Sequence, residues 1–341
     1  MPPRVSFLLP VYNEREHLGE SLESIAGQDY PAEQIEIMLA DGGSTDGTPR
    51  IIEEFSRLHP EIALRVLSNW ARNTAVGRNL GLEAASGELV MNFSGHAVAD
   101  PSLLRVLTAK LAAQPPEVAG AGCAIKSLGS ATTVGRAISA VLRSPLGGSG
   151  MDSSFHAETD CDARSVAFCL YRREAIEACG RFDPQFWCGQ DAELNLRLAR
   201  RGYRLRFTPD TQVVHYKRPT LSGLARQMYR YGFARAAITR KFPGSFRLVF
   251  LLPTLWVVGW IALAVGSFFS PIIAVSLLTA GGLFVLMGAF AALMSGSGPA
   301  GLVLGPIGLA VLYTSYGMGL VIGFVRATPP PRGGAQPSGS D

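Results

Sequence analysis

Two polar loops early in the chain carry the first residues able to do chemistry. Pro10-Val11-Tyr12-Asn13-Glu14 closes one apolar run, and Asp41-Gly42-Gly43-Ser44-Thr45-Asp46-Gly47-Thr48 closes the next. On one edge of a sheet these loops offer the carboxylates of Glu14, Asp41 and Asp46 to a ribose or a base, with the Tyr12 ring for stacking. Asp46-Gly47-Thr48 by itself is also an ordinary helix N-cap signal. Gln227 and Arg230 stand three apart, so on a helix they share a face and reach one phosphate or sugar together. His96 and His215 each close an apolar run. A neutral imidazole is a metal ligand, although a lone histidine is more often structural.

These loops need a scaffold, and the pattern of the chain supplies one. Short apolar runs alternate with helical patterns through roughly the first 120 residues, the signature of βαβ units around a largely parallel sheet. Strands are expected at Val5–Leu9, Ile35–Ala40, Ala63–Leu67, Glu88–Asn92 and Val118–Ala124, with helices starting near Glu14, Thr48, Thr74 and Pro101. In open α/β sheets ligands bind outside the carboxyl ends of the strands, which is where these loops fall. After the Gly/Ser-rich Leu146–Gly150, a strand is expected near Val166–Tyr171 and helices at Arg173–Ala178 and Asp191–Arg200. Two further strands are expected near Arg204–Phe207 and Gln212–His215. From Pro219 to Phe242, apolar residues alternate with Arg226, Arg230, Arg235, Arg240 and Lys241. Such a basic amphipathic helix suits the headgroup layer of a membrane, or a solvated protein surface.

Charge is distributed very unevenly over the 341 residues. No Asp, Glu, Lys or Arg occurs in the 78 residues from Leu248 to Val325. With 48% hydrophobic and 17% charged residues, the chain is too apolar for one ordinary soluble domain. The uncharged stretch breaks at Ser270-Pro271 and Ser295–Pro299, leaving Leu248–Phe269, Ile272–Met294 and Gly301–Val325. Each is long enough to cross a hydrocarbon core, which takes about 20 helical residues. The basic cluster Arg235, Arg240, Lys241 and Arg247 before the first span places the N-terminal part in the cytoplasm by the positive-inside rule. Three crossings then conflict with Arg326 and Arg332 on the far side, unless Gly305-Pro306 makes the last segment kinked or re-entrant. The Pro/Gly/Ser-rich tail Thr328–Asp341 reads as disordered. The expected division is a cytoplasmic domain over 1–217, an interface helix over 218–247, a transmembrane region over 248–325 and a tail over 326–341. A net charge of +4 gives no argument for nucleic acid, and five scattered cysteines indicate neither a disulfide framework nor a zinc site.

The two early loops, in this order and spacing, resemble glycosyltransferase family 2, inverting transferases that use nucleotide sugars. Gly77-Arg78-Asn79-Leu80-Gly81 followed by Ala85-Ser86-Gly87-Glu88 is similar to that family's G-x-N-x-G and A-x-G-E segments. Phe182-Asp183 and Gly189-Gln190-Asp191-Ala192-Glu193-Leu194 resemble its F-D and E-D-x-[ED]-L segments. Gln227-Met228-Tyr229-Arg230-Tyr231 resembles the Q-x-x-R-W element of membrane-bound members, with Tyr in place of Trp. The resemblance implies an α/β, GT-A-like domain with a mostly parallel sheet. It also implies that Asp191 is the catalytic base, although a carboxylate opening a helix also serves as a cap. Pro10, Tyr12, Glu14, Asp41, Asp46 and Arg78 fall around the donor, with Arg78 toward its diphosphate. Gln227, Arg230 and Tyr231 fall toward the acceptor or a phosphate.

Two departures stand out against that pattern. The family's D-x-D metal motif is replaced by Ser94-Gly95-His96, and its D-D-G-S loop reads Asp41-Gly42-Gly43-Ser44. Both are similar to the branch of succinoglycan-type exopolysaccharide transferases, whose motif reads D-A-H-A. His96 and His215 are then the candidate ligands of a divalent cation, and two imidazoles favour Mn2+ over Mg2+. The expected reaction moves a sugar from a nucleoside diphosphate sugar to a lipid-linked acceptor, such as a polyprenyl-diphosphate glycan, at the inner membrane. A polyprenyl-phosphate sugar synthase and an inactive membrane-tethered nucleotide-binding scaffold are the alternatives.

Overall fold

Near-continuous apolar strands at Val5–Val11, Ile35–Asp41 and Leu89–Asn92, buried on both faces, start the fold. The structure, a computed structural model, describes residues 1–128, 132–144, 147, 157–166, 168–216, 220–294 and 299–326. Most of the Gly/Ser-rich stretch at 146–150, the break at 295–298 and the tail from 328 lie outside the described residues. The first strands are β1 (Val5–Val11), β2 (Ile35–Asp41), β3 (Ala63–Ser68) and β4 (Leu89–Asn92), with helices α1 (Leu18–Ala26), α2 (Thr48–Leu58) and α3 (Thr74–Ala84) between them. There follow β5 (Ala97–Ala99), α4 (Leu103–Ala112), β6 (Val118–Leu128), α5 (Thr133–Arg143), β7 (Cys161–Ala163), β8 (Cys169–Arg172), α6 (Arg173–Ala178), α7 (Gln190–Arg200) and β9 (Arg204–Tyr216). The chain continues as α8 (Leu221–Lys241), α9 (Leu252–Gly266), α10 (Pro271–Met294) and α11 (Gly301–Val325).

The sheet runs β3-β2-β1-β4-β8-β6-β9-β5, with β7 on β9. Its first four strands are parallel, with Val5 opposite both Ile35 and Leu89. From β8 onward the pairings are antiparallel, β4 with β8, β6 with β8, and β9 with both β5 and β7. The expectation of a mostly parallel sheet therefore holds for the half that carries the early loops. Alternation along β1 sends Val5, Phe7, Leu9 and Val11 into one core with α1 and α4. Leu8 goes to the opposite core with Met38, Tyr171 and Leu194. The buried Glu36 of β2 is matched by donors from Ser6 Oγ (2.5 Å), Ser86 N–H and Oγ, and Gly87 N–H. Burial pulls its pKa up, but these hydrogen bonds outweigh burial and hold the carboxyl below its usual range.

Chain contacts divide the molecule into two compact units. One holds all nine strands with α1–α4, α6 and α7; the other holds α5 and α8–α11. In the helical unit, α8 turns its apolar face to protein: Leu224, Met228 and Ala236 share a core with Leu309, Leu312, Tyr316 and Leu320 of α11 and with Ile138 and Val141 of α5. Among the described residues, three segments are long and apolar enough to cross a membrane: Leu248–Gly266, Pro271–Ala291 and Gly301–Val325. Pro271 opens α10, where its missing N–H leaves no helical bond unmade. Pro306, in contrast, lies inside a continuous α11. It packs so closely on Gly288 that a Cβ there would come within 2.5 Å of the Pro306 Cα.

Candidate active site

The two early loops are stitched together by their own backbone. Asn13, in the left-handed region at φ 53°, receives Thr45 N–H on Oδ1, while its own N–H donates to Ser44 Oγ at 2.9 Å. Glu14 N–H donates to Thr48 Oγ1 (2.9 Å) and Arg15 N–H to Asp46 Oδ2 (3.1 Å). Asp41 accepts from the N–H groups of Gly43 and Ser44 and from Ser44 Oγ (2.5 Å). Asp46 Oδ1 accepts from Thr48 N–H and Oγ1. Desolvation nudges Asp46 upward, but the bonds from Thr48 and Arg15 hold its carboxyl below the usual range. Both carboxylates thus build the loop in which the sequence placed them as ligands.

Aromatic and cationic side chains cover that loop. The Arg72 guanidinium lies 4.2 Å from the centre of the partly exposed Tyr12 ring, and Arg72 Nε donates to Gly42 O at 2.9 Å. A Cβ on Gly42 would lie 3.1 Å from Tyr12 Cδ2 and 3.2 Å from Arg72 Cγ. The place of the usual second carboxylate is therefore taken by the Tyr12–Arg72 stack. Gly43, at φ +75°, has Trp70 against it, where a Cβ would come within 2.6 Å. Neither Trp70 nor Arg72 was marked by a motif. Pro10, near the end of β1, packs close to Gly77 of α3.

The second constellation gathers residues far apart in sequence. Gly189, at φ 73°, turns the chain into α7 and sets Asp191 in its first turn. Arg78 of α3 donates to Asp191 Oδ1 at 2.6 Å, and Asn92 Nδ2, at the end of β4, donates to the same oxygen at 2.9 Å. Asp191 Oδ2 takes no hydrogen bond among the described residues, and the carboxylate is 31% exposed. Arg78 Nε and Asn92 Oδ1 are buried beside it without a hydrogen-bond partner among the described residues. The arrangement is a carboxylate with one oxygen clamped and the other open. The structure thus pairs Arg78 with Asp191, where the sequence aimed it at a diphosphate. Asn92 was missed; its only signal is a polar residue ending the buried strand β4.

The third cluster brings both predicted histidines together. Pairing of β5 with β9 sets Ala97 opposite His215, and the His96 and His215 rings lie 4.9 Å apart. Glu14 Oε1 is 3.1 Å from His96 Nδ1, and Ser94 Oγ is also within 3.2 Å of the ring nitrogens. Among the described residues no three His, Cys, Asp or Glu side chains converge as a metal cage. Two imidazoles with a carboxylate behind one of them do fit a cation that takes its remaining ligands from substrate phosphates, as Mg2+ and Mn2+ sites often do. Gln227, Arg230 and Tyr231 belong to α8 in the other unit, where Gln227 Nε2 donates to Tyr231 Oη at 3.0 Å.

Comparison with known proteins decides the family. A family model described as glycosyltransferase-like family 2 matches residues 2–234. The chain belongs to glycosyltransferase family 2. This glycosyltransferase is 29% identical over 253 residues to a dolichyl N-acetyl-alpha-D-glucosaminyl phosphate 3-beta-D-2,3-diacetamido-2,3-dideoxy-beta-D-glucuronosyltransferase of Methanococcus voltae, covering 73% of this chain and 77% of that one. It is also 29% identical over 230 residues to the succinoglycan biosynthesis protein ExoA of Rhizobium meliloti, covering 67% and 68%. Among solved structures, the mannosyltransferase PcManGT of Pyrobaculum calidifontis, determined with GDP-Man and Mn2+, superposes with a TM-score of 0.65 at 22% identity, covering 90% of this chain and 87% of that one. That likeness shows a GT-A glycosyltransferase fold. The enzyme is a glycosyltransferase, which sets aside the inactive scaffold.

Proposed function

We propose that this glycosyltransferase moves a sugar from a nucleoside diphosphate sugar to a hydroxyl of a lipid-linked saccharide, with inversion at the anomeric carbon. The observation that carries the reading is Asp191, with Oδ1 held by Arg78 and Asn92 and Oδ2 open. A fixed carboxylate of this kind takes the acceptor proton on Oδ2 as the acceptor oxygen attacks the anomeric carbon and the diphosphate departs. The Tyr12 ring and the Asp41–Thr48 loop receive the nucleotide, the loop presenting backbone and hydroxyl groups because its carboxylates are already satisfied. His96 and His215 are the residues that would hold a divalent cation, with Glu14 orienting His96. Such an ion, Mn2+ or Mg2+, supplies neutralisation of the charge that grows on the departing diphosphate.

The lipid-linked acceptor is supported by the three apolar segments and by the Methanococcus voltae relative, whose name describes a dolichyl-linked sugar phosphate. On this reading the enzyme sits at the inner membrane with its catalytic domain in the cytoplasm, and Gln227, Arg230 and Tyr231 serve the acceptor. The test is a panel of nucleotide sugars, with and without Mn2+, on membranes holding the protein and extracted lipid acceptors. Transfer is expected with one nucleotide sugar and to be lost with Asp191→Asn, while nucleotide binding persists. Undiminished transfer by Asp191→Asn removes the residue from the mechanism. A monophosphate-linked, acid-labile product in place of an extended glycan replaces the reading with a polyprenyl-phosphate sugar synthase.

A further inference from the structure

The three apolar segments differ in what surrounds them. Of the Leu248–Gly266 span 11% is buried, of Pro271–Ala291 6%, and of Gly301–Val325 44%. The first two form an antiparallel hairpin: Gly266 meets Ile273, Trp260 meets Gly281, and the Trp256 ring lies 5.1 Å from that of Phe284. At its turn Phe268 and Phe269 are 87% and 82% exposed. At 19 and 21 residues, each arm is about 30 Å long, the thickness of a hydrocarbon core.

α11 meets this hairpin near its open end. Pro306 packs on Gly288 late in α10, the Tyr313 ring lies 5.6 Å from that of Trp256, and Gly317 sits against Pro253 at the start of α9. Beyond that point one face of α11 packs on α8. Gly319 abuts the Tyr229 backbone, Gly323 abuts Phe233 and Ala236, and Gly232 abuts Tyr316. α8 carries Arg226, Arg230, Arg235, Arg240 and Lys241 in 21 residues. Placing the second half of α11 in hydrocarbon would carry these side chains in with it, a costly placement that membrane helices avoid. Arg240 donates to the carbonyls of Gly323 and Arg326, the latter at 2.9 Å, which fixes the end of α11 beside the end of α8. Only seven residues separate Arg240 from Leu248, where the first apolar segment starts.

We propose that the α9–α10 hairpin alone crosses the bilayer, and that α11 lies with α8 and α5 outside the hydrocarbon core, so that the tail leaves on the side from which α9 entered. The number of crossings is then even, and Arg326 and Arg332 fall on the same side as Arg235, Arg240, Lys241 and Arg247, as the positive-inside rule requires. The proposal rests on the membrane reading above, and one preparation separates the two. Membranes holding the full chain are first washed with alkaline carbonate; release of the protein overturns the membrane reading itself.

For the crossings, Cys161 and Cys188, the partly exposed cysteines, are replaced by Ser, and single cysteines are introduced as Ser222→Cys on α8, Phe269→Cys at the hairpin turn or Ser338→Cys in the tail. An impermeant maleimide is applied to vesicles of each orientation. Ser222→Cys and Ser338→Cys are expected to label in the same vesicles and Phe269→Cys in the opposite ones. Labelling of Ser338→Cys together with Phe269→Cys restores three crossings and overturns the proposal. Labelling of Phe269→Cys together with Ser222→Cys also overturns it, because the hairpin then does not cross. A reporter enzyme joined after Asp341 reads the side of the tail without altering any native residue.

Discussion

Two helices of the sheet unit begin beside an aspartate, and the two aspartates are treated in opposite ways. Before α2, Asp46 has both oxygens engaged, Oδ1 by Thr48 and Oδ2 by the Arg15 N–H. In the first turn of α7, Asp191 has one oxygen doubly engaged and the other open. Asp46 lies just before α2 and Asp191 in the first turn of α7, so closeness to a helix start does not by itself tell the two carboxylates apart. What differs is the second oxygen: Asp46 Oδ2 accepts the Arg15 N–H, whereas Asp191 Oδ2 accepts no hydrogen bond among the described residues.

The comparison breaks if the two residues respond alike to substitution. Asp191→Asn is expected to lower turnover by about 100- to 10,000-fold, the usual contribution of a general base, with the nucleotide affinity preserved by calorimetry. Removing the clamp with Asn92→Ala deletes a hydrogen bond to a charged group worth about 1.5–3 kcal/mol, so kcat falls by roughly 10- to 100-fold. The donor KM stays constant in that variant; a change confined to KM would mean that Asn92 serves the donor instead. Glu36 extends the contrast as a fully satisfied carboxylate away from the site. Because its pKa is lowered in the folded state, it contributes stability above its unfolded value of about 4.3, and this is lost as pH falls through the folded value. Glu36→Gln should cost about 2 kcal/mol near neutral pH and flatten the acid limb of a denaturation series. The smallest effect is expected for Asp46→Ala, below about 1 kcal/mol in the same assay, because its bonds to Thr48 and Arg15 lie in a partly exposed loop.

The parallel half of the sheet was legible because its strands are short apolar runs ending in polar loops, and β1, β2 and β3 start at the expected residues. The two strands expected near Arg204–Phe207 and Gln212–His215 are one strand, β9. Pro209 falls between the segments that pair with β7 and with β5, where its missing N–H interrupts neither ladder. The first helix begins at Leu18 and not near Glu14, since Glu14–His17 forms the turn that leads into it. α5 was missed altogether, because its apolar face matches partners in α8 and α11 that are far away in sequence. The same distance hid the core of the site. Motif resemblance singled out Asp191, but Arg78 is 113 residues away and Asn92 is 99, and no local pattern announces that the three meet. The Glu14–His96 contact, across 82 residues, was likewise invisible, though each residue had been marked for a separate reason.

The glycines between α8 and α11 have a consequence for how this enzyme would be mapped by mutation. Gly232, Gly319 and Gly323 leave no space for a side chain, since any Cβ would meet the neighbouring helix. In a saturation scan scored by activity, these positions would tolerate little variation for reasons of packing alone. Counting folded enzyme per membrane alongside turnover would divide the intolerant positions into two classes, one that lowers abundance and one that lowers rate at full abundance.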